Sequence, residues 1–219
     1  MSSVRVILAD DHTIVRKGLR VLLEESGFID IVAEAEDGHE ILNMVDRHSP
    51  DVVVMDITMP HLNGLEATRR IKANNPDIKV VVLTMHLSEE YVLQSLRAGA
   101  HGYVVKQSAP RDLVFAIQQA IDDQYYVSAL MDSENLDELV QRSRSKPADT
   151  RYNSLTKRER EVLQLIAEGN DVGQIALLLS ISEKTVRSHR GHLMDKLGLH
   201  NPASLTRYAL ERGIVSIEK

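Results

Sequence analysis

The stretch VVVMDITMP, residues 52–60, joins a run of four apolar residues to the carboxylate of Asp56. Residues 52–55 are long enough for a strand buried on both faces and too short for most helices. In open parallel sheets, ligands bind in the crevice outside the carboxyl ends of the strands. The stretch therefore predicts a buried strand that presents Asp56 at the edge where such a sheet binds its ligand.

Four further polar or charged residues stand at the ends of other predicted strands. They are Asp10 and Asp11 after residues 4–9, Thr84 at the end of residues 80–84, and Lys106 after residues 102–105. A single aspartate after a strand is more often a helix cap or a loop residue, and a single lysine or threonine there is weaker evidence still for a functional site. Together the residues predict a site for Mg²⁺ and a phosphoryl group, because carboxylate oxygens suit Mg²⁺ and an ammonium group neutralises phosphoryl oxygens. Asp56 is then a carboxylate nucleophile that accepts the phosphoryl group.

Apolar β-branched runs alternate with stretches of helical periodicity through the first 122 residues. The runs are residues 4–9, 31–35, 52–55, 80–84 and 102–105. The helical faces are Ile14, Val15, Gly18, Leu19, Leu22 and Leu23, and later Leu113, Ala116, Ile117, Ala120 and Ile121. Five βα units predict an α/β fold with a doubly wound, five-stranded parallel sheet covered on both faces.

The alternation stops after residue 122. Leu136, Leu139 and Val140 predict one short amphipathic helix, and residues 142–149 have the composition of a polar linker. We therefore predict a first domain at residues 1–122, a linker at 123–150 and a second domain at 151–219.

The second domain is predicted to be a small all-α domain of four helices. Thr156 and Glu159 form a capping-box pattern, Ser182 can cap the third helix, and Gly198 ends that helix. The fourth helix starts with Pro202 at its first position. A short helix at about residues 172–179, a tight turn and a basic helix together describe a helix-turn-helix.

Composition supports two domains of different charge. Residues 1–150 carry 15 Lys and Arg against 24 Asp and Glu, a net charge of −9, whereas residues 151–219 carry 11 against 8, a net charge of +3. A basic second domain suggests a polyanion partner, although a solvated basic face is common. The absence of cysteine excludes disulfides and thiolate zinc sites and fits a cytoplasmic protein. The chain starts without a signal-peptide pattern, and no apolar run approaches the roughly 18 residues of a membrane span.

Residues 1–121 resemble the receiver domain of bacterial two-component response regulators. The matching pieces are LADDH at 8–12, MDITMP at 55–60, Gly64, LT at 83–84 and YVVK at 103–106. The resemblance implies a flavodoxin-like strand order, a histidine kinase as phosphoryl donor, and Asp56 as phosphoacceptor. It also implies a Mg²⁺ ion held by Asp10, Asp11, Asp56 and the backbone carbonyl of Thr58. Lys106 would pair with a phosphoryl oxygen, while Thr84 and Tyr103 would form a switch pair whose ring turns inward. From the residues alone, a tyrosine on a strand is more often a packing residue.

Residues 153–215 resemble the LuxR-type output domain. The matching strings are LTKREREVL at 155–163, ISEKTVRSH at 181–189 and KL at 196–197. With the receiver resemblance they indicate the NarL/FixJ class of response regulators, which are transcription regulators that bind DNA as dimers. Arg187 is the candidate for a base contact, beside Ser188 and Gly191, and Lys184, Thr185, His189 and Arg190 are candidates for phosphate contacts. The alternative is a solvated basic helix.

Three residues depart from the family pattern: Gly173 where relatives often have lysine, Gly191 where many have a larger or basic residue, and Pro202 where arginine is frequent. Gly173 and Pro202 each remove a possible contact to the DNA backbone. Gly191 leaves the base readout in doubt and shifts weight to Arg187. Phosphorylation is expected to release the recognition helix or to drive homodimerisation, with half-sites about one turn of DNA apart. Leu205, Tyr208 and Ala209 are candidate dimer contacts, or alternatively part of the domain's own core.

Two rival functions remain at this point. Haloacid-dehalogenase-like phosphatases also use a strand-end aspartate with Mg²⁺, but they need a second aspartate two residues later, where this chain has Thr58. The chain is therefore expected not to be an enzyme beyond the gain and loss of its own phosphoryl group. A regulator with a degenerate receiver is the second rival, and the presence of all five receiver residues disfavours it.

Overall fold

The computed structural model describes residues 3–128, 136–145 and 150–215. The chain folds as two compact units, residues 1–146 and residues 147–219. In the first unit the elements are β1 Val4–Ala9, α1 Thr13–Glu24, β2 Ile29–Ala35, α2 Gly38–His48, β3 Val52–Asp56, α3 Gly64–Asn74, β4 Lys79–Thr84, α4 Glu89–Ala98, β5 Gly102–Val105, α5 Ala109–Ile121, β6 Tyr126–Val127 and α6 Leu136–Ser145.

The first unit is a doubly wound parallel sheet, as the sequence predicts. All strand pairs are parallel and the strand order is β2-β1-β3-β4-β5-β6, which contains the flavodoxin-like order 2-1-3-4-5. Successive strand residues point to opposite faces. Thus Val53 and Met55 join the core under α2, α3 and α4, whereas Val52 and Val54 join the core under α1 and α5.

The sheet has six strands instead of the predicted five. The Tyr126 N–H donates to the carbonyl of His101, and the Ser128 N–H donates to the carbonyl of Tyr103, both at 2.9 Å. These bonds add β6 beside β5. A two-residue strand carries no alternation of hydropathy that a sequence pattern can reveal.

The predicted short helix is present as α6, and it packs on the first unit. Leu139 is buried in the same core cluster as Val92 and Leu96 of α4, and Arg142 forms a 2.6 Å ion pair with Glu89 at the start of α4. Therefore β6 and α6, which fall in the predicted linker 123–150, belong to the first unit. Residues 129–135 and 146–149 of that linker lie outside the described residues.

In the second unit the helices are α7 Thr150–Asn153, α8 Lys157–Ala167, α9 Val172–Leu178, α10 Glu183–Leu197 and α11 Pro202–Glu211. The four predicted helices are present, with the single turn α7 added before them. Thr156 and Glu159 form the predicted capping box, and the Ser182 hydroxyl accepts the Thr185 N–H at the start of α10. Gly198 ends α10 at φ 68°, a left-handed conformation that favours glycine.

Packing inside the second unit decides the role of two candidate dimer residues. Leu205 and Ala209 are fully buried in the core cluster with Val186 and Leu193 of α10, so of the two alternatives the structure supports the domain's own core for these residues. Tyr208 is partly buried, and the Arg212 guanidinium lies over its ring. Among the helices of residues 3–128, 136–145 and 150–215, none is both long and apolar enough to cross a bilayer.

Candidate functional site

Three carboxylates meet where β1 and β3 end. Ala9 lies opposite Met55 in the parallel register, so Asp10 and Asp56 come to the same edge of the sheet. Ligand atoms of Asp10, Asp11, Asp56 and His12 all lie within 4.8 Å of one another. Asp10 and Asp56 are 1% and 3% exposed, whereas Asp11 is open to solvent. We call Asp10, Asp11 and Asp56 the acidic cluster.

Lys106 reaches the acidic cluster from the end of β5. Its Nζ lies 2.7 Å from Asp56 Oδ2 and 2.8 Å from Asp10 Oδ2. Burial alone would lower the pKa of Lys106, but the charges of Asp56 and Asp10 raise it overall. Burial raises the pKa of Asp56 to about 6, an effect that Lys106 opposes and Asp10 reinforces. The ammonium group is therefore held between two buried carboxylates, and Asp56 is destabilised as an anion.

The donor set of this edge fits a divalent cation. With every group ionised, three carboxylates face one ammonium group, which leaves two negative charges for a cation to balance. Carboxylate oxygens are hard ligands of the kind that Mg²⁺ and Ca²⁺ prefer. The backbone N–H of His12 donates to Asp10 Oδ1 at 2.9 Å, and its ring Nδ1 lies 2.8 Å from Asp11 Oδ1. His12 therefore orients both carboxylates.

The loop after β3 is packed tightly against Asp56. The Thr58 N–H lies 3.4 Å from Asp56 Oδ1, and the Gly64 N–H donates to the Ile57 carbonyl at 2.8 Å. A Cβ added to Gly64 would lie 1.8 Å from the Asp56 carbonyl oxygen. Glycine is therefore required at the start of α3, because any side chain there would displace the strand end that carries Asp56.

Thr84 and Tyr103 are joined through the backbone of His86. The Tyr103 hydroxyl donates to the His86 carbonyl at 2.8 Å, and the His86 N–H donates to Thr84 Oγ1 at 3.2 Å. The Tyr103 ring is fully buried, and burial raises the pKa of its hydroxyl. The His86 ring stacks on Tyr91 of α4, with 4.2 Å between centroids. A change at Thr84 is thereby connected to α4, the helix on which α6 packs.

The residues predicted to contact DNA lie along α10 of the second unit. Exposed side chains on this helix are Lys184, Thr185, Arg187 and Ser188, with Gly191 also exposed, whereas His189 and Arg190 are half-buried. Val186, Leu193 and Leu197 point into the core. Arg190 also lines a groove of about 320 Å³ with Asp171 and Thr206. The helix therefore presents a basic, solvent-facing side.

An exposed ion pair on α10 involves the proposed base-reading arginine. Arg187 Nη2 donates to Glu183 Oε2 at 2.8 Å, and both side chains are more than half exposed. Exposed pairs of this kind contribute less than about 1 kcal/mol, so Glu183 orients Arg187 only weakly. Space is open around Gly191, where a Cβ would meet nothing within 4 Å. A close approach of DNA at that position is sterically possible.

Two neighbours of the acidic cluster were not predicted as part of the site. His12 follows Asp10 and Asp11 directly, so its position in the sequence was a usable signal. Arg16 is a charged residue on the same helical face as Leu19 and Leu23, and these three are the buried residues of α1. Ile14, predicted on that face, is instead 88% exposed.

Known proteins match both units. Residues 6–118 match the family described as response regulator receiver domain, and residues 153–209 match the family described as bacterial regulatory proteins, luxR family. The oxygen regulatory protein NreC of Staphylococcus aureus is 37% identical over 97% of this chain and 99% of its own length.

Solved structures also match this chain. The RcsB response regulator of Salmonella typhimurium is 32% identical, with a TM-score of 0.55 over 95% of this chain and 98% of that one. A structure of an RcsB–DNA complex is 31% identical, with a TM-score of 0.56 over 96% and 99%. The chain therefore belongs to the response regulators that join a receiver domain to a LuxR-family regulatory domain.

Proposed function

We propose that this response regulator accepts a phosphoryl group on Asp56 from a histidine kinase and that this modification controls its binding to promoter DNA. The observation that carries the proposal is the buried Asp56 carboxylate, 2.7 Å from the Lys106 ammonium group and beside Asp10. A carboxylate nucleophile held by opposite charges is suited to phosphoryl transfer, which depends on positioning and charge neutralisation.

The transfer forms one bond and breaks another. A carboxylate oxygen of Asp56 attacks the phosphorus of the donor's phosphohistidine, and the phosphorus–nitrogen bond breaks as its electron pair returns to the imidazole. After the transfer, the Lys106 ammonium group exchanges its contact with the Asp56 carboxylate for a contact with a phosphoryl oxygen. Asp10, Asp11, Asp56 and the carbonyl of Thr58 would hold Mg²⁺, which supplies further charge neutralisation when bound.

The Thr84 hydroxyl is proposed to turn toward the phosphoryl group. That rotation would withdraw the acceptor of the His86 N–H and loosen the segment that also bonds the Tyr103 hydroxyl. Tyr103 is already inside the core, so the signal would run through the β4–α4 segment and α4 to α6. The outcome is release of the recognition helix α10 or homodimerisation, and the RcsB dimers solved on DNA are a precedent for the second.

The second unit is proposed to bind double-stranded DNA through α10. Arg187, Ser188 and Gly191 would face base edges, while Lys184, Thr185, His189 and Arg190 would hold phosphates. The matching LuxR-family domain and the solved RcsB–DNA complex support this assignment. Binding to chromosomal DNA would place the regulator in the cytoplasm.

Turnover of external phosphoesters is not part of the proposal. The second aspartate of haloacid-dehalogenase-like phosphatases would stand at position 58, and Thr58 has no group that acts as a general acid at neutral pH. The family is one of regulators with a DNA-binding domain. The chemistry proposed for this chain is therefore limited to the gain and loss of its own phosphoryl group at Asp56.

Intact-mass measurement with acetyl phosphate and Mg²⁺ tests the proposal. The wild-type chain is expected to gain one phosphoryl group, and Asp56→Asn is expected to gain none, because the amide is a poor nucleophile. Light scattering on the same samples separates the two outcomes: homodimerisation gives a shift from monomer to dimer only in the phosphorylated wild type, whereas release of α10 within the monomer gives no shift.

The outcomes separate the alternatives. Absence of an adduct on the wild type would favour a degenerate receiver that works through protein contacts. An adduct that persists in Asp56→Asn would place the acceptor elsewhere. An adduct without a change in size or in DNA affinity would contradict the coupling between the two units.

DNA binding separates the proposed base contact from the phosphate contacts. Arg187→Ala is expected to weaken binding to a selected operator by about 1 to 3 kcal/mol and to relax the preference at one base pair. Lys184→Ala is expected to weaken all duplexes alike and to reduce the slope of log affinity against log salt by about one. Fluorescence anisotropy with operator and scrambled duplexes over a salt series measures both effects. Equal losses on both duplexes for Arg187→Ala would argue against base readout.

A further inference from the structure

A buried arginine connects the residue that follows β1 to the end of β2, at the edge of the sheet that carries the acidic cluster. Arg16 lies in the first turn of α1 and is 6% exposed. Its Nη1 donates to the backbone carbonyl of Asp10 at 2.6 Å, its Nη2 to Glu36 at 2.6 Å, and its Nε to Glu34 at 3.1 Å. One guanidinium therefore joins α1, the residue after β1, and the end of β2.

The bond to the Asp10 carbonyl is the informative one. Asp10 stands one residue past β1, where the sheet no longer constrains both of its backbone groups. Its N–H donates to the carbonyl of Ala35 at 3.1 Å, and its carbonyl accepts from Arg16. With both backbone groups bonded, the peptide plane between Asp10 and Asp11 is fixed, and the Asp10 carboxylate is directed toward Asp56 and Lys106.

A nearby arginine provides a comparison. Arg20 donates to the other oxygen of Glu34 at 2.6 Å and to Glu24 at 2.8 Å, but its described bonds do not include Asp10. Burial alone would raise the pKa of Glu34, yet the hydrogen bonds from Arg20 and Arg16 lower it overall. Both arginines therefore stabilise the same anionic glutamate, but Arg16 is the more buried of the two and also binds the Asp10 carbonyl.

We propose that Arg16 is a positioning residue for the cation site, because its guanidinium holds the Asp10–Asp11 backbone in the conformation that the acidic cluster needs. The inference rests on the proposed function, since it concerns the Mg²⁺ that the acidic cluster would hold. Groups that hydrogen-bond to metal ligands without contacting the metal are needed for full affinity, and their loss weakens metal binding by about 10- to 100-fold.

Mg²⁺ titration of the full chain by calorimetry, without phosphodonor, tests the inference. Arg16→Met, which keeps the length of the side chain but removes its donors, is expected to raise the Mg²⁺ dissociation constant by about 10- to 100-fold. Arg20→Met, the matched control, is expected to change it by less than about twofold, because Arg20 is partly exposed and its described bonds go to Glu34 and Glu24 instead of the Asp10 backbone. The dissociation constant of Arg16→Lys is expected to fall between those of the two methionine variants, since an ammonium group cannot reproduce the three hydrogen bonds of the planar guanidinium.

Phosphorylation kinetics supply a second readout that a loss of stability alone would not move. The Mg²⁺ concentration for half-maximal labelling by acetyl phosphate is expected to rise in Arg16→Met, while the labelling rate at saturating Mg²⁺ stays within about twofold of wild type. Thermal unfolding in EDTA identifies variants that do not fold. If Arg16→Met does not fold, Arg16→Lys takes its place, with an expected rise in the dissociation constant of at least about threefold.

Each result decides something different. A folded Arg16→Met with wild-type Mg²⁺ affinity overturns the inference and leaves the proposed function intact. An equal loss in Arg20→Met also overturns it, because the effect would then come from the shared Glu34. Failure of the wild-type chain to bind Mg²⁺ at all would overturn the proposed cation site and this inference together.

Discussion

Replacing Asp56 by asparagine is expected to raise the free energy of unfolding of the metal-free chain by about 2 to 3 kcal/mol at pH 8. Asp56 is buried beside Asp10, and burial is the largest cause of its raised pKa, from an ordinary 3.8 to about 6. At about 1.36 kcal/mol for each pH unit, that difference corresponds to about 3 kcal/mol against the ionised side chain in the fold. Asparagine has nearly the same shape and removes this cost.

The sign of the pH dependence follows from the direction of the shift. Because the folded state binds the Asp56 proton more tightly than the unfolded state, ionisation of Asp56 destabilises the fold. The destabilisation is complete above about pH 7, falls as the pH drops through 6, and disappears below about 4. The advantage of Asp56→Asn is therefore expected to shrink by roughly half between pH 8 and pH 5.

Urea unfolding in EDTA at the two pH values measures this difference. Asp11→Asn is the matched control, because Asp11 is exposed and its neutralisation should change stability by less than about 1 kcal/mol. Mg²⁺ should stabilise the wild type more than Asp56→Asn and so reduce the gap. A less stable Asp56→Asn in EDTA at pH 8 would show that the Lys106 contact outweighs burial at this position.

The residues of the acidic cluster were predictable because parallel strands leave little freedom in where their ends meet. Once residues 4–9 and 52–55 are recognised as buried strands, Asp10 and Asp56 must come to one edge. The same reasoning brings Lys106 to that edge. The pattern contains no information on the 2.7 Å contact between Lys106 and Asp56, because such a contact depends on side-chain rotamers.

Other features depended on tertiary contacts that local patterns do not encode. The apolar periodicity of α1 places Ile14 inside, but the buried position goes to Arg16, since Glu34, Glu36 and the Asp10 carbonyl supply its hydrogen bonds. A charged residue is buried when it is paired, and pairing partners 18 and 20 residues away are invisible to a helical pattern.

The same limit applies to α6 and to α11. Three apolar residues predict the α6 helix, yet its packing depends on Leu139 reaching the core beneath α4 and on the ion pair between Arg142 and Glu89. In α11, Leu205 and Ala209 have the spacing of either a core face or a dimer face. The structure buries them inside the unit, which leaves homodimer contacts to other residues.

Replacing Lys106 by methionine is expected to lower the free energy of unfolding by about 3 to 5 kcal/mol in EDTA at pH 8. The Lys106 side chain is 11% exposed, and its ammonium group lies between Asp56 and Asp10, so its removal leaves two buried carboxylates facing each other. Removing one partner of a buried ion pair has an effect of this size because the remaining charge is uncompensated. Lys79→Met is the matched control. The Lys79 side chain is 16% exposed, but its partner Asp123 is 75% exposed and stays solvated without the ammonium group, so the loss should cost less than about 1 kcal/mol.

A double-mutant cycle with Asp56→Asn then isolates the interaction between the two side chains. In the Asp56→Asn background, Lys106→Met should be milder by at least about 1 kcal/mol, because only Asp10 is left without its cation. The cost of Lys106→Met alone should also fall at pH 5, where a carboxylate without a partner takes up a proton more readily. Mg²⁺ should bind Lys106→Met more tightly than wild type, since a positive charge has left the site, while labelling by acetyl phosphate slows. Purely additive stability effects would mean that Lys106 and Asp56 do not interact in solution, and the proposed handover of Lys106 from carboxylate to phosphoryl oxygen would lose its structural basis.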